Sequence, residues 1–374
     1  MPKVGYMRVP FKSAKLQSLQ RWAKIVAVNL LVFLVLLVVA EILLRSVWTV
    51  RSCIKAECDL SRIAGLKVRK VDRAIDIGLT RFDELLGYVP REGFSATINA
   101  DGWVNGKVTI RHDGFRSNGS EPPPLPTDVL VVGDSYTFGD HVSDNETWPA
   151  CLERKLGRGV DNGGVMGYGT AQALRRASLK LAEKTYSTLV LSTVVAIDFE
   201  RDRLSYRSGF PMPAVIQTKN GIGWSAVPDP NTPGTKFNPL PINYFLSPLY
   251  ERSEMLAVMF DQLFPQYNFV GDRLTTVNPN AADENEIVDW TLRKFAKLAI
   301  KNKILLLQYG SLDTPEVIEE RKLLLGIANE LSLKVIDTSD VLRNAKENEL
   351  WYYGHHTPLG NELVCSYLLE NGFR

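Results

Sequence analysis

Two kinds of apolar segment divide the chain. Near its start, IVAVNLLVFLVLLVVAEILL (Ile25 to Leu44) is apolar except for Asn29 and Glu41, which lie towards its ends. At 1.5 Å per residue a helix of that length covers roughly 30 Å, the depth of a bilayer's hydrocarbon core, so residues 25–44 are predicted to form one transmembrane helix. Further on the apolar runs are short: DVLVVGD from Asp128, STLVLSTVVAI from Ser187, KILLLQY from Lys303 and LKVIDT from Leu333. Helix-period segments alternate with them, beginning near Thr147 with Pro149 in the first turn, then about Thr170 to Lys184, Glu284 to Asn302, Pro315 to Leu331, and after Pro358. This alternation predicts an α/β domain over residues 127–374, with a parallel sheet covered by helices on both faces and its site at the carboxyl ends of the strands.

Two stretches depart from the rhythm. Residues 45–126 form a β-rich, membrane-proximal lead-in, with strand-and-turn patterning in ATINADGWVNGKVTIRHDGFRSN and a stiff boundary at EPPPLPTD. Residues 210–282 are rich in Pro, Gly and Asn and read as an insertion, with a hairpin in PAVIQTKNGIGWSAVP and a helix around Glu251 to Leu263. Trp224, Tyr244 and Tyr250 in it are candidates either for stacking on sugar faces or for the core.

Charge orients the chain. Residues 1–24 carry Lys3, Arg8, Lys12, Lys15, Arg21 and Lys24 and no acidic residue. By the positive-inside rule this leader stays cytoplasmic, and everything after Leu44 faces the periplasm or the exterior. The alternative is a cleaved signal peptide, with Val38 and Ala40 at a loose cleavage pattern; either reading exports the body. The net charge of +2 gives no argument for nucleic acid as a partner. In an exported chain the four cysteines allow two disulfides, Cys53–Cys58 and Cys151–Cys365, with buried free thiols as the alternative.

Candidate chemistry gathers in a few motifs. GDSYTFG (Gly133 to Gly139) follows the first predicted strand, placing Ser135 at its carboxyl end among backbone N–H groups suited to an anion. The pair His355–His356 in WYYGHHTPLG supplies two of only four histidines. The acidic and basic cluster Asp198, Glu200, Arg201, Asp202 and Arg203 reads as a solvated helix start, since no His or Cys ligand spacing accompanies it. Asp134 reads as a turn residue, Arg116 as structural, and His112 and His141 as loop residues.

Taken together, HDGFRSN (His112 to Asn118), VLVVGDSYTFGDHVSDNETWP (Val129 to Pro149), VDNGGVMGYGTAQ (Val160 to Gln172) and GHHTPLGNELV (Gly354 to Val364) resemble, in order and spacing, the blocks of the SGNH (GDSL-type) hydrolase superfamily. The resemblance is to its bacterial membrane-anchored members and covers about the last two thirds of the chain. It implies a flavodoxin-like three-layer αβα fold and ester hydrolysis or acyl transfer; neither a cofactor nor a metal is expected. Residue by residue, it makes Ser135 the nucleophile and one oxyanion donor through its N–H, Gly167 the second donor, and His355, five residues before Gly360, the base. His356 becomes a substrate-rim residue. Two departures follow. The oxyanion asparagine of the third block is replaced by Ile197, and the acid's usual positions, two and three residues before the histidine, hold Tyr353 and Tyr352. Asp337, Asp340 and Glu349 are the carboxylates nearby in sequence that remain as candidate acids or orienters, beside the two tyrosines themselves.

The leading expectation is therefore an enzyme of the inner (plasma) membrane, anchored by one span, attacking an ester such as an O-acyl group on an exported glycan. Water resolves the acyl-enzyme in a hydrolase; a sugar hydroxyl resolves it in a transferase, which would call on an acyl-donor partner in the membrane. The second expectation is a catalytically impaired protein of the same fold that binds or scaffolds a glycan.

Overall fold

The computed structural model describes residues 11–54, 78–99, 103–120, 122–232, 235–237, 252–263, 275–310, 313–343, 350–352 and 354–373. Cys58, Tyr244, Tyr250, Glu349 and Tyr353 fall outside them, as do the side chains of Cys53 and Tyr352. The chain divides into two compact units, residues 1–71 with 245–265, and residues 72–244 with 266–374.

The first unit contains one long helix, Phe11–Ile54. Its stretch Leu19–Val47, 29 residues of mean hydropathy 2.9, is long and apolar enough to cross a membrane. The Glu41 carboxylate on this helix accepts the N–H groups of Glu254 and Met255 and the Ser253 hydroxyl, each at 2.9 Å. It thereby caps the helix Glu254–Leu263, whose first N–H groups have no partner within their own helix. Arg45 Nε holds the same carboxylate at 2.8 Å.

In the second unit five parallel strands form the central sheet: β1 (Thr127–Val132), β2 (Gly159–Asn162), β3 (Thr188–Val194), β4 (Asn302–Gln308) and β5 (Lys334–Asp337). Their order across the sheet is β5-β4-β3-β1-β2, the flavodoxin-like doubly wound arrangement. Both faces are covered, which explains why these strands read as continuous apolar runs rather than alternating ones. Leu130, Val132, Leu189, Leu191, Leu305 and Leu307 pack on one face against helices α2 (Thr170–Glu183), α3 (Glu284–Lys297) and α4 (Pro315–Glu330). Val129, Val131, Val190, Ile304 and Leu306 pack on the other against α1 (Trp148–Leu156) and α5 (Pro358–Gly372). The helices begin where the sequence places them. Thr147 and Thr314 cap α1 and α4 through their hydroxyls, each followed by a proline in the first turn.

The part of the lead-in after Val71 belongs to this unit. Its hairpins, Thr80–Asp83 with Gly87–Pro90 and Ser95–Ile98 with Gly106–Thr109, are antiparallel pairs whose Leu86, Tyr88 and Val89 join the core cluster of the α2 face. The insertion's hairpin pairs Val215–Thr218 with Gly221–Trp224. Its Trp224 packs edge-on against Trp290 of α3, at 5.5 Å between ring centroids.

Cys151 on α1 and Cys365 on α5 are joined as a disulfide across 214 residues of sequence. A cross-link of that span removes chain entropy from the unfolded state worth on the order of 5 kcal/mol. The Cys151→Ser/Cys365→Ser double variant should therefore unfold at a markedly lower denaturant concentration than the full-length chain in detergent, with a loss of about 3–5 kcal/mol. Reductant should shift the midpoint of the wild type and leave that of the variant unchanged.

Candidate active site

The carboxyl ends of β1, β3 and β4 meet the hairpin before α5, and the chemistry collects there. Val132 closes β1, and the chain turns at Asp134 into the short helix Ser135–Phe138. Asp134 Oδ1 caps that helix by accepting Tyr136 N–H at 2.9 Å. Ser135 is 5 % exposed, and its Oγ lies 2.9 Å from His355 Nε2 and 3.2 Å from Asp134 Oδ2. The two most widely separated motif residues, 220 positions apart, are thus within hydrogen-bond reach.

The two residues at the second and third positions before His355 are Tyr353 and Tyr352 rather than carboxylates. The histidine sits in a two-residue strand, His355–His356, paired with Trp351–Tyr352, and Tyr352 and His355 are register partners. The Tyr136 hydroxyl donates to the Gly354 carbonyl at 2.7 Å, while its ring lies 5.2 Å from the His355 ring and 4.7 Å from that of His356. Burial, and after it the charge of Asp134, raises the Tyr136 pKa, so the phenol remains a donor. Below the hairpin, Gly360 in the first turn of α5 is needed for close approach: a Cβ there would fall 2.6 Å from the Leu350 carbonyl oxygen.

His356 is not a rim residue. It is 2 % exposed and packs edge-on against Tyr136, because the side chains of a strand alternate and His355 already faces the serine. Burial, and then the charge of His355, pulls its pKa down to about 3; a hydrogen bond to the Tyr309 backbone acts the other way. It is a neutral strut between the hairpin and the end of β4.

The carboxylates proposed from sequence are engaged elsewhere. Asp337 accepts from Arg321 Nε and from Ser339 N–H, and Asp340 from the Tyr367 hydroxyl. The acid that the structure does place at the histidine is Asp140, whose Oδ2 is 3.8 Å from Nε2, the nitrogen that faces the serine. His141, with φ +70°, presents its ring edge-on to His355 at 4.8 Å. Arg116 builds the loop that carries both. Its buried guanidinium donates to the carbonyls of Phe138 (2.6 Å), Gly139 (2.5 Å) and Val142 (2.6 Å), and its Nε reaches Asp144 at 3.2 Å. Asp144 in turn accepts Thr109 N–H at 3.0 Å, which ties the lead-in to the same loop. Arg116 is structural, as its motif suggests, whereas Asp140 and Tyr136 are not among the residues that the sequence motifs single out. Their place inside the GDSYTFGDH block was the available signal.

Ile197 stands where a side-chain donor was expected, and Arg201 and Arg207 follow it in the chain. Arg201 Nη1 donates to Asp198 Oδ1 (2.6 Å), Asp134 Oδ2 (3.0 Å) and the Tyr168 carbonyl (3.2 Å), joining the serine turn to the second motif. Burial works against its charge, but Asp198 and Asp134 outweigh it and raise its pKa. Arg207 rests on Gly167. That glycine has φ +76°, a conformation that favours glycine, and a Cβ on it would fall 2.2 Å from Arg207 Nη1 and push the guanidinium away. Burial, followed by the like charge of Arg201, lowers the Arg207 pKa, which marks the spot as one that favours incoming negative charge. The expectation of a solvated acidic cluster is corrected here as well. Asp198 and Asp202 are each 1 % exposed, and Asp202 accepts the N–H groups of Ala171 and Gln172 at the start of α2. Burial pushes its carboxyl up to about 7.

No family model matches the chain, and no curated protein does. Among solved structures it is similar to a protein described as lipolytic, of the G-D-S-L family, from Desulfitobacterium hafniense DCB-2: 15% identity, TM-score 0.36, covering 65% of this chain and 98% of that one. It is similar to the α/β hydrolase enzyme LAE5 from the metagenome of Lake Arreo, Spain, at 12% identity and TM-score 0.38, covering 66% of this chain and 95% of that one. Axe2, an acetylxylan esterase from Geobacillus stearothermophilus, matches at 13% identity and TM-score 0.35, covering 67% of this chain and 97% of that one. The fold is SGNH-like on its own topology: a doubly wound five-stranded sheet, a serine after its first strand and a histidine before its last helix.

The neutral burial of His356 has a pH consequence. Its folded pKa of about 3 lies below the ordinary 6.5, so the unfolded chain binds this proton more readily. The resulting stability is present above pH 6.5 and is lost as pH falls towards 3. Between pH 7 and pH 4 His356 should account for a loss of about 3 kcal/mol. Chemical denaturation at the two pH values checks this: the loss in wild type should exceed that in His356→Gln by about that amount.

Proposed function

We propose that this chain is a membrane-anchored ester hydrolase of SGNH type, with Ser135 as nucleophile and His355 as general base. The observation that carries the reading is the 2.9 Å approach of Ser135 Oγ to His355 Nε2 at the carboxyl ends of the sheet. With Nε2 unprotonated, it takes the hydroxyl proton as Oγ bonds to the ester carbonyl carbon. The tetrahedral oxyanion is met by the backbone N–H groups of Ser135 and Gly167, and Arg207 supplies positive charge in place of the side-chain donor that Ile197 lacks. The imidazolium formed on Nε2 is stabilised by Asp140, 3.8 Å away, and its ring is oriented by the Tyr136, His141 and His356 packing. The proton then passes to the leaving alkoxide, and water, deprotonated by the same nitrogen, releases the acid and restores Ser135.

The anchor helix and the basic leader support a site exported from the cytoplasm, facing the periplasm or exterior of a bacterial inner membrane. In that setting the ester is an O-acyl group on an exported glycan, and a sugar hydroxyl in place of water would make the same site an acyltransferase. The second reading, a glycan-binding protein of the same fold, is favoured by Ile197 and by the lack of a carboxylate at the family's position.

Turnover decides between them. The full chain in detergent should hydrolyse 4-nitrophenyl acetate, and Ser135→Ala and His355→Ala should each lower kcat by about a thousandfold or more. Tyr136→Phe, which frees the Gly354 carbonyl but keeps the ring, should lower kcat by about tenfold with little change in KM. Turnover that is absent, or indifferent to Ser135 and His355, would leave the binding reading.

A further inference from the structure

From Leu19 to Leu36 the long helix of the first unit is exposed on every side. From Leu37 onward one stripe of it is shielded, through Leu37, Ala40, Glu41, Leu44, Arg45 and Thr49, while Ile42, Leu43, Val47 and Val50 stay exposed. Spacings of three and four mark one face of a helix with another element packed along it. The described partner there is the helix Glu254–Leu263, which belongs to the same unit. The stripe starts well inside the apolar stretch Leu19–Val47: Leu37 lies about 15 Å along the axis from the end of that stretch, and Glu41 about 9 Å. Two kinds of polar group that are costly at such a depth meet at Glu41, a carboxylate and the first N–H groups of a helix. The Glu41 carboxylate accepts the Ser253 hydroxyl and the N–H groups of Glu254 and Met255, each at 2.9 Å. Arg45 Nε lies on the same carboxylate at 2.8 Å, and Arg45 Nη2 donates to the Arg252 carbonyl at 2.5 Å. Past this cap, Met255 to Phe260 is apolar without a break, which exceeds one helical turn, so that part of the helix has no polar side to offer water. Met259 is nevertheless 48 % exposed.

We propose that Glu41 docks the helix Glu254–Leu263 into the exterior-facing side of the bilayer, as a second membrane-embedded segment whose apolar side is covered by lipid acyl chains. The proposal rests on the reading of the long helix as a membrane anchor. Continuity with that anchor names the occupant: a helix held at Glu41 lies beside a stretch that is itself surrounded by lipid, and its unbroken apolar turn suits the same solvent. The mutual satisfaction of carboxylate and helix N-terminus is what a water-poor setting demands of both. The consequence is a shorter tether. Residues 245–265 interrupt the second unit between Tyr244 and Gln266, so a hold on this helix is a second hold on that unit. The 23 residues between Ile54 and Gly78 reach about 80 Å when extended, and the 11 between Leu263 and Thr275 about 40 Å. A unit fastened at both points acts on esters presented near the bilayer surface.

Photocrosslinking in a bilayer tests this. The full chain is reconstituted in nanodiscs of phosphatidylethanolamine and phosphatidylglycerol, with p-benzoylphenylalanine placed at Met259, at Leu31 inside the anchor stretch, or at Leu325 on α4. All three positions are exposed, so the probe is tolerated at each. After irradiation, lipid adducts are measured by mass spectrometry. Position 259 should yield adducts within about threefold of position 31, and position 325 none above the unirradiated control. Adducts at position 31 alone overturn the proposal and leave the anchor reading intact, whereas none at position 31 ends the anchor reading and the proposal with it. Equal labelling at position 325, or crosslinks from position 259 to a second copy of the chain in place of lipid, also overturn it. A second arm tests the dock. Glu41→Ala removes the acceptor for the helix N-terminus and should lower adducts at position 259 by about fivefold or more, with those at position 31 unchanged. Glu41→Gln, which keeps an acceptor oxygen, should retain most of them. Adducts at position 259 that are indifferent to Glu41→Ala overturn the role given to Glu41.

Discussion

The bond from the Tyr136 hydroxyl to the Gly354 carbonyl is the constraint on which the site depends. Ser135 follows the first strand of the sheet and His355 precedes its last helix, so nothing local brings them together. Tyr136, next to the serine, reaches across 218 residues of sequence to the residue before the histidine and fixes the hairpin at hydrogen-bond distance. Beneath it, the uncharged ring of His356 fills the space between Tyr136 and the end of β4, and the Cys151–Cys365 bridge ties α5 to α1. In a site lacking a carboxylate two residues before the histidine, ring packing and a backbone carbonyl provide the orientation that a carboxylate would otherwise give.

Electrostatics is redistributed by the same economy of parts. The Asp140 carboxylate lies on the Nε2 side of His355, suited to steadying an imidazolium rather than to choosing a tautomer. Arg116 makes this possible from a distance, since three carbonyls of residues 138–142 converge on its guanidinium and hold Asp140 and His141 in place. On the opposite side Arg201 is engaged by Asp134 and Asp198, whereas Arg207 lies against Gly167. In the proposed mechanism, negative charge that develops beside Gly167 would meet a guanidinium already disfavoured by burial and by its like-charged neighbour.

Much of this was legible in the sequence. The βα alternation, the threonine-capped, proline-containing starts at Thr147 and Thr314, and the hairpin at Asn220-Gly221 are local signals, and the structure follows them. Counting back from Gly360 singled out His355, because that glycine's spacing reflects a close backbone contact with Leu350. What sequence could not supply was partnership across the fold. His356 looked like a rim residue because nothing in a histidine pair says which ring turns inward. Asp337 and Asp340 looked available because their claimants, Arg321 and Tyr367, lie on helices packed against them only after folding. Asp198 and Asp202 read as solvated because charge clusters usually are, yet they are buried as anchors for Arg201 and for the start of α2.

The central claim is that Ser135 is an activated nucleophile made so by His355. Covalent capture tests it most directly: the full chain in detergent is treated with a fluorophosphonate, and the adduct is located by peptide mass spectrometry. The account predicts a single adduct on Ser135 that forms in wild type and is lost or strongly slowed in His355→Ala. No adduct on Ser135, or one that forms equally fast without His355, would contradict it.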